Sequence, residues 1–300
     1  MISHLLIPLD GSSLAEIVLP YAKTLFKTFH SKVTLIHMLE KDTPGTIHGE
    51  KHLATEIDAS EYLDGIAKKW FPKDTEVTCH VHTDVVENVA DSLADHITEL
   101  EPDLVLMCAH GRGGWRDFTV GNLAQQVIGR IGIPVILIKN DTEPQGRLSS
   151  FLVCLDGTPE HEQVLPAAIE LGKGLNAEIA LLMAVHTRSS LPGSDGETGR
   201  LLPGTTRAVL DATEEYAYQY LEKKARLFEE AGLMVTILVP RGDPAQEILK
   251  ASSQGEYDLL VVGTHGKAGL GAFWAGSVGS KVINSSTIPL LMSPAKKSDY

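Results

Sequence analysis

Two short glycine motifs near the end of the chain contain the residue types that bind phosphate groups. Gly263-Thr-His-Gly266 ends an apolar, strand-like run, and Gly276-Ser277 follows after nine residues. The last glycine of the first motif lets the backbone turn sharply and brings its N–H groups close to a ligand. The glycine of the second motif leaves room for a phosphate at the start of a helix, whose first N–H groups, on Ser277, Val278 and Gly279, point outward. The pattern Gly-x-x-Gly-x9-Gly-Ser therefore predicts an anion-binding site.

Two aspartates stand at comparable places in the chain. Asp10 and Asp156 each follow a continuous apolar run that we predict to be a buried parallel strand. Ligands of open α/β sheets bind beyond the carboxyl ends of such strands, so both aspartates are candidate ligand contacts. The alternative is that they only cap the helices that follow, since Ser12, Ser13 and Thr158 lie nearby.

Motifs of three enzyme classes are missing from the chain. There is no Gly-x4-Gly-Lys-Ser/Thr sequence, which argues against a P-loop motor. No Gly-x-Gly-x-x-Gly sequence follows the first strand, which argues against a dinucleotide dehydrogenase. No Gly-x-Ser-x-Gly elbow supports a hydrolase. We therefore predict no catalytic residue.

Two pairs of histidines have spacings that suit a metal ion. His80 and His82 lie on one face of a strand, and His48 and His52 are four residues apart. Either pair could bind zinc, but the sequence shows no third ligand for either. We therefore interpret them as surface or packed histidines, and the metal ligands stay unknown.

Composition restricts the class of protein. The chain has 300 residues, of which 43% are apolar and 22% charged, as in an ordinary globular protein of about two domains. A formal net charge of −13 argues against a nucleic-acid partner, which requires a basic face. No apolar run is long enough to span a bilayer, and the start lacks a signal-peptide pattern. Three scattered cysteines, Cys79, Cys108 and Cys154, indicate buried thiols in a reducing cytoplasm.

The chain contains one module twice. Three segments of the first half resemble three of the second: residues 3–12 and 149–158, residues 102–114 and 257–269, and residues 132–138 and 287–293. A repeat unit of about half the chain indicates duplicated domains and not a solenoid, whose repeat units are much shorter. The second copy carries a net insertion, which we assign to a loose surface loop, His186–Thr206. The linker is predicted at Lys139–Leu148 because Pro144 and Gly146 interrupt regular structure.

Strands alternate with helices in both copies, which predicts two doubly wound parallel sheets. The first copy has predicted strands at 3–9, 33–39, 76–82, 103–109 and 134–138, with helices at 13–29, 53–70, 86–100 and 120–131. The second copy has predicted strands at 150–155, 177–185, 233–239, 258–263 and 288–292, with helices at 160–173, 207–231, 244–254 and 277–286.

Each copy resembles the universal stress protein (UspA) domain, over residues 2–139 and 149–293. The Gly-x-x-Gly-x9-Gly-Ser pattern is that family's ATP-binding signature, and the Gly242–Ala245 turn and Asp156 also fit. The resemblance implies two Rossmann-like domains, similar to adenine nucleotide alpha hydrolases, each with five parallel strands in the order 3-2-1-4-5. We place the domains at residues 1–140 and 148–295.

The resemblance also implies an ATP or AMP site in the second copy. Adenine would lie near Val185 and Val262, and its edges and the ribose near Asp156 and the backbone of Cys154. The phosphates would lie on six residues, Gly263, His265, Gly266, Gly276, Ser277 and Val278. Family members often bind Mg²⁺ or Mn²⁺ with the phosphates, which would offset their charge in this acidic chain.

The first copy departs from the signature at two positions. Cys108 stands where the first glycine belongs and adds a side chain, and Asn122 replaces the serine. Three residues remain, Asp10, Gly111 and Gly121, while Pro8 and Met38 would line a base pocket. We therefore expect a weakened or empty site in the first copy.

The function we predict is that of a cytoplasmic stress-response protein that acts by binding a nucleotide. One alternative is a slow ATPase or nucleotide-using enzyme, although no carboxylate or arginine is placed to organise an in-line attack. The other is a nucleotide-free scaffold.

The fifth strands, Pro134–Ile138 and Pro289–Met292, are apolar and would be hazardous as exposed edges. In this family single domains commonly pair by these strands. We therefore predict that the two halves pair into a pseudo-dimer, with further pairing of chains into a homodimer left open.

Overall fold

A large continuous sheet organises the chain. The computed structural model describes residues 1–40, 46–47, 50–51, 53–86, 88–109, 122–139, 146–191, 197, 201–255, 257–264 and 278–293. The strands of the first half are β1 His4–Pro8, β2 Lys32–Glu40, β3 Thr46–Ile47, β4 Glu50–Lys51, β5 Val77–Val86, β6 Leu104–Cys108 and β7 Val135–Ile138. Those of the second half are β8 Ser150–Cys154, β9 Glu178–Leu182, β10 Val235–Leu238, β11 Leu259–Gly263 and β12 Leu290–Ser293.

Helices connect the strands. In the first half these are α1 Ser13–Glu16, α2 Leu19–Phe29, α3 Glu56–Trp70, α4 Val89–Leu100 and α5 Asn122–Ile128. In the second half they are a 3₁₀ turn at His161–Val164, then α6 Leu165–Leu175, α7 Pro203–Glu230, α8 Pro244–Gln254 and α9 Val278–Ser285. No helix among the described residues is long and apolar enough to cross a membrane.

The strand order confirms the predicted fold in both halves. The described strands form one sheet in the order β10-β9-β8-β11-β12-β7-β6-β1-β2-β5, beside the separate hairpin β3-β4. Each half therefore has the order 3-2-1-4-5, and pairing within each half is parallel. Helices cover both faces, so the central strands β1, β6, β8 and β11 are apolar and almost wholly buried.

Local sequence explains where the predicted helices differ from the observed ones. The single helix predicted at 13–29 is two helices, and α2 starts with Pro20 in its first turn. Proline lacks the N–H that a continuous helix needs, so it is tolerated only there. α7 begins at Pro203, so the predicted loose stretch to Thr206 ends earlier than expected.

The two halves join through their fifth strands. β7 and β12 pair antiparallel, with Leu137 opposite Leu290 and Ile136 opposite Leu291. The predicted pseudo-dimer is confirmed, because each apolar edge is covered by the other.

The cysteines correct one expectation. None of the three forms a disulfide among the described residues, but only Cys154 is buried, whereas Cys79 and Cys108 are partly exposed. Cys79 lies on β5, the outermost strand of its half, where one neighbouring strand is missing. The prediction of three buried thiols is therefore wrong for two of them.

Candidate functional site

The crevice of the second half lies between β8 and β11, which are neighbours in the sheet. In chain order they are the first and fourth strands of this half, so the strand order reverses between them. That reversal opens a crevice at the carboxyl ends of the strands, which is where α/β proteins bind ligands. Asp156 follows β8, and Gly263 ends β11.

A tight turn fixes the carboxylate of Asp156. The backbone N–H and the hydroxyl of Thr158 both donate to Asp156 Oδ1, over 3.0 and 2.7 Å. Gly157 between them has a φ of 85°, a left-handed conformation that glycine adopts without strain. Thr158 and Asp156 thus form an Asx-type turn that holds the carboxylate at the crevice.

The first half builds the same turn. The N–H and the hydroxyl of Ser12 donate to Asp10 Oδ1 over 2.9 and 2.6 Å. Ser12 Oγ in turn accepts from the N–H of Ala15 and caps α1. The alternative that Asp10 caps the helix is therefore wrong: Ser12 forms the cap of α1, and Asp10 accepts from Ser12.

His161 is a site residue that the sequence analysis missed. Its Nδ1 lies 2.7 Å from Asp156 Oδ2, and its side chain is mostly buried. Burial opposes ionisation of Asp156, but hydrogen bonds from His161 and Thr158 outweigh burial and lower the pKa of Asp156 to about 2. The signal in the sequence was a histidine shortly after the aspartate in the second copy, where the first copy has Ala15.

The ionised carboxylate still faces solvent. The side chain of Asp156 is 48% exposed, although both of its oxygens have protein partners. A carboxylate accepts hydrogen bonds only and has about four acceptor positions. Asp156 can therefore also accept from hydroxyl or amino groups of a ligand in the crevice.

Gly263 leaves room for a neighbouring part of the chain. A Cβ atom at this position would lie 2.5 Å from Cα and from the carbonyl oxygen of His161. The absent side chain thus makes room for the protein's own 3₁₀ turn. By the repeat, Cys108 occupies the corresponding position at the end of β6 and packs against the core.

The apolar site candidates lie deeper than the crevice surface. Val185, Val262 and Cys154 are all buried. Val185 donates its N–H to Pro240 O and accepts at its carbonyl from the N–H of Gly242, both over 2.9 Å. These three residues can therefore shape the crevice, although little of their surface is exposed.

α7 adds two tyrosines beside the turn. Tyr216 lies close to Gly157, since a Cβ on that glycine would come within 3.6 Å of the tyrosine ring and hydroxyl. Its ring stacks on Tyr220 with centroids 6.2 Å apart, yet Tyr216 remains 54% exposed. Tyr216 is therefore an aromatic surface next to Asp156 that the sequence analysis did not single out.

Several predicted residues lie outside the described residues: His265, Gly266, Gly276 and Ser277 in the second half, and Gly111 and Gly121 in the first. Val278 is the first residue of α9 and is 43% exposed. Asn122 is likewise the first residue of α5. α9 thus begins directly after Ser277, and α5 begins at Asn122.

The base-pocket candidates of the first half occupy equivalent strand ends. Pro8 ends β1 and is partly exposed. Met38 is buried near the end of β2, and the Ser92 hydroxyl lies 3.7 Å from its sulfur. Asp10 stands beyond β1 in the turn described above.

Comparison with known proteins identifies the family. The model described as the universal stress protein family matches residues 1–139 and 149–294. The chain belongs to the universal stress protein family.

Two relatives and one structure illustrate the similarity. The chain is 23% identical to universal stress protein Rv2623 of Mycobacterium tuberculosis over 96% of this chain and 95% of that protein. It is 26% identical to Rv2005c of the same organism, where the match covers 64% of this chain and only 62% of the relative. The fold is similar to that of a universal stress protein from Archaeoglobus fulgidus, with a TM-score of 0.65 at 16% identity, covering 100% of this chain and 98% of that one.

Proposed function

We propose that the chain is a cytoplasmic stress-response protein that binds ATP or AMP in the crevice of its second half, within a domain at residues 148–295. The observation that carries this proposal is the fixed, ionised and half-exposed carboxylate of Asp156 at the reversal of strand order. The complete Gly-x-x-Gly-x9-Gly-Ser signature begins at the neighbouring strand end, Gly263.

The groups present complement the two ends of a nucleotide. Asp156 accepts from ribose hydroxyls or from the adenine amino group, which are donors. Tyr216 offers an aromatic face beside that carboxylate. The N–H groups at the start of α9 meet the phosphates, because an α-helix begins with unpaired donors and a positive partial charge.

A divalent cation fits this arrangement only through the phosphates. Asp156 already accepts from Thr158 and His161, and its remaining acceptor positions are assigned to the donors of the nucleotide. Mg²⁺ or Mn²⁺ would therefore be bound mainly by phosphate oxygens and water, with charge neutralisation as its contribution. The protein then acts through the state that nucleotide binding produces, and not by rapid hydrolysis of the nucleotide.

Mass spectrometry of gently purified chain, together with calorimetry of ATP and AMP with and without Mg²⁺, tests the proposal. We expect close to one nucleotide per chain. Asp156→Ala should weaken affinity about tenfold or more, since hydrogen bonds to charged groups are strong.

The matched control is Asp10→Ala, which removes the equivalent carboxylate of the first half and should leave the affinity nearly unchanged. Absence of binding by the unaltered chain would favour a nucleotide-free scaffold. Steady turnover of labelled ATP would favour the slow ATPase. Equal occupancy of both halves would overturn the assignment to the second half.

A further inference from the structure

Three histidines meet on the outermost strand of the first half. His80 and His82 lie two residues apart on β5, so they share one face of the sheet. His96, on α4, contacts both rings, with centroids 4.8 Å apart in each case. One ligand nitrogen from each of these side chains lies within 4.8 Å of the others. We call these three residues the histidine cluster; His96 is the third ligand that the sequence did not reveal.

The ring nitrogens of the cluster have an unusual set of partners. His96 Nε2 and His82 Nδ1 are 2.9 Å apart, so one donates to the other. His96 Nδ1, on the opposite side of the ring, lies 3.5 Å from Glu99 Oε2. His80 Nε2 is buried and has no hydrogen-bond partner among the described residues. Buried polar atoms are nearly always paired, so this nitrogen calls for an explanation.

The second half shows that the fold does not require histidines here. By strand register and by the start of the following helix, the equivalent residues are Leu238, Pro240 and Ala251. Leu238 and Ala251 pack against the apolar core on that side of the sheet. The two halves share one fold, yet these three positions hold nonpolar residues in the second half and histidines in the first. Packing alone therefore does not account for the imidazoles.

We propose that the histidine cluster binds a transition-metal dication, with Zn²⁺ the best match. Zinc takes neutral imidazole nitrogens at about 2.0–2.1 Å in a tetrahedral arrangement, which separates the nitrogens by about 3.3 Å. The His82–His96 pair is already near that separation, and the cation takes the place of the proton between them. That proton moves through solvent to the other nitrogen of its own ring, so that each imidazole stays neutral as zinc requires. The same cation gives the buried nitrogen of His80 a partner. Water completes the fourth position, as in open three-histidine zinc sites.

Glu99 orients the cluster from outside. Histidines that bind metals commonly donate their other ring N–H to a carboxylate, which fixes the tautomer and raises the basicity of the ligand nitrogen. Glu99 lies one helical turn beyond His96 and faces its Nδ1. That contact directs the lone pair of His96 Nε2 toward the other two rings.

The bound ion would join the outermost strand to the helix that covers it. Among the strands that the structure describes, β5 pairs with β2 alone. A metal held by two residues of β5 and one of α4 cross-links these elements, and a ligand that binds only the folded chain stabilises it. Nitrogen ligands favour zinc, copper or nickel over Mg²⁺, which prefers oxygen, so this site is chemically distinct from the nucleotide crevice.

Titration of tag-free, chelator-treated full chain with Zn²⁺ tests the proposal, with Co²⁺ as a spectroscopic probe. We expect one Zn²⁺ per chain, the intense visible bands of tetrahedral Co²⁺, and a higher melting temperature with Zn²⁺. His96→Gln should weaken Zn²⁺ binding by at least about 100-fold and abolish both other signals.

The control is His30→Asn, which removes an exposed histidine at the end of α2. His30 has a φ of 54°, a left-handed conformation that asparagine tolerates, so this variant should bind Zn²⁺ normally. Circular dichroism checks folding, and His82→Gln repeats the test if His96→Gln does not fold. The proposal is overturned if both glutamine variants bind Zn²⁺ as the unaltered chain does, if the unaltered chain does not bind it, or if Mg²⁺ binds equally well.

Discussion

The Nζ atom of Lys139 donates a hydrogen bond of 2.9 Å to the carbonyl oxygen of Ser286 across the junction between the two halves. It also donates to Asn284 O over 2.8 Å. Lys139 follows β7, whereas Asn284 lies in the last turn of α9 and Ser286 directly follows that helix. Carbonyls at a helix C-terminus lack helical hydrogen-bond partners and carry a negative partial charge. A lysine ammonium supplies both the missing donor and a positive charge.

Lys139→Met should destabilise the chain by about 2–3 kcal/mol, because two carbonyls lose a charged donor at a nearly closed site. Lys139 is only 2% exposed, so water does not readily replace it. Urea denaturation measures the loss. Lys250→Met, on the exposed face of α8, is the control and should change stability by less than about 0.5 kcal/mol. Equal losses in the two variants would show that the junction contact contributes nothing.

Ile136→Lys should separate the halves or make the chain insoluble. Ile136 lies opposite Leu291 in the antiparallel ladder, and neither side chain is exposed. A buried lysine without a partner costs several kcal/mol. Thr236→Lys is the control, because Thr236 is exposed on the outer strand β10. Size-exclusion chromatography and solubility report the outcome. A soluble, compact Ile136→Lys chain that is as stable as the control would contradict the prediction.

Gly276→Val should abolish binding of ATP while leaving the fold intact. The two added methyl groups would occupy the space predicted for phosphate and block N–H donors at the start of α9, worth about 1–3 kcal/mol each. Calorimetry measures the affinity and circular dichroism the fold. Gly121→Val makes the same change in the first half and should have little effect. Unchanged affinity in Gly276→Val would place the phosphates elsewhere.

Asp156 should make stability depend on pH in the acid range. Its pKa is about 2 in the folded chain, below the ordinary value of 3.8. A carboxyl group with a lowered pKa stabilises the fold above its unfolded pKa, and this contribution is lost as pH falls through the folded pKa. The advantage of the unaltered chain over Asp156→Asn should therefore be full above about pH 5, mostly lost by about pH 2 and gone near pH 1.

The size of that effect is limited by solvent. Since Asp156 is half exposed, water screens its contacts, and we expect less than about 1 kcal/mol. Urea denaturation across this pH range measures it. His161→Gln removes the ionisable partner and should show a smaller dependence on pH. A constant difference between the unaltered chain and Asp156→Asn at every pH would contradict the assigned pKa.

Local sequence patterns predicted two doubly wound parallel sheets, and the resemblance to the universal stress protein domain supplied the strand order within each. The segments that form β1 and β8 are continuous apolar runs, because helices cover both faces of the sheet. Such a run is visible in the sequence without any knowledge of distant contacts. The pairing of β7 with β12 was predicted from the way single domains of the resembled family pair, together with the hazard of leaving two strongly apolar edges exposed.

Contacts between segments that are far apart in the chain, or that belong to different kinds of element, could not be predicted from the sequence. His96 comes from a helix and meets His80 and His82 on a strand, so no regular spacing connects the three. Gly263 fitted a ligand motif, yet the atoms nearest its missing side chain belong to His161, far earlier in the chain. Such contacts follow from the closeness of backbones in the folded chain, which residue types do not encode.

The antiparallel junction of β7 and β12 relates two halves that are covalently one chain. In a dimer of identical chains, symmetry would repeat every substitution on both sides of the axis. Here each half can diverge separately. Cys108 and Asn122 alter the signature of one half while Gly263 and Ser277 keep it in the other. Because the two domains are joined in one chain, they can acquire different functions, which the identical subunits of a symmetric dimer cannot.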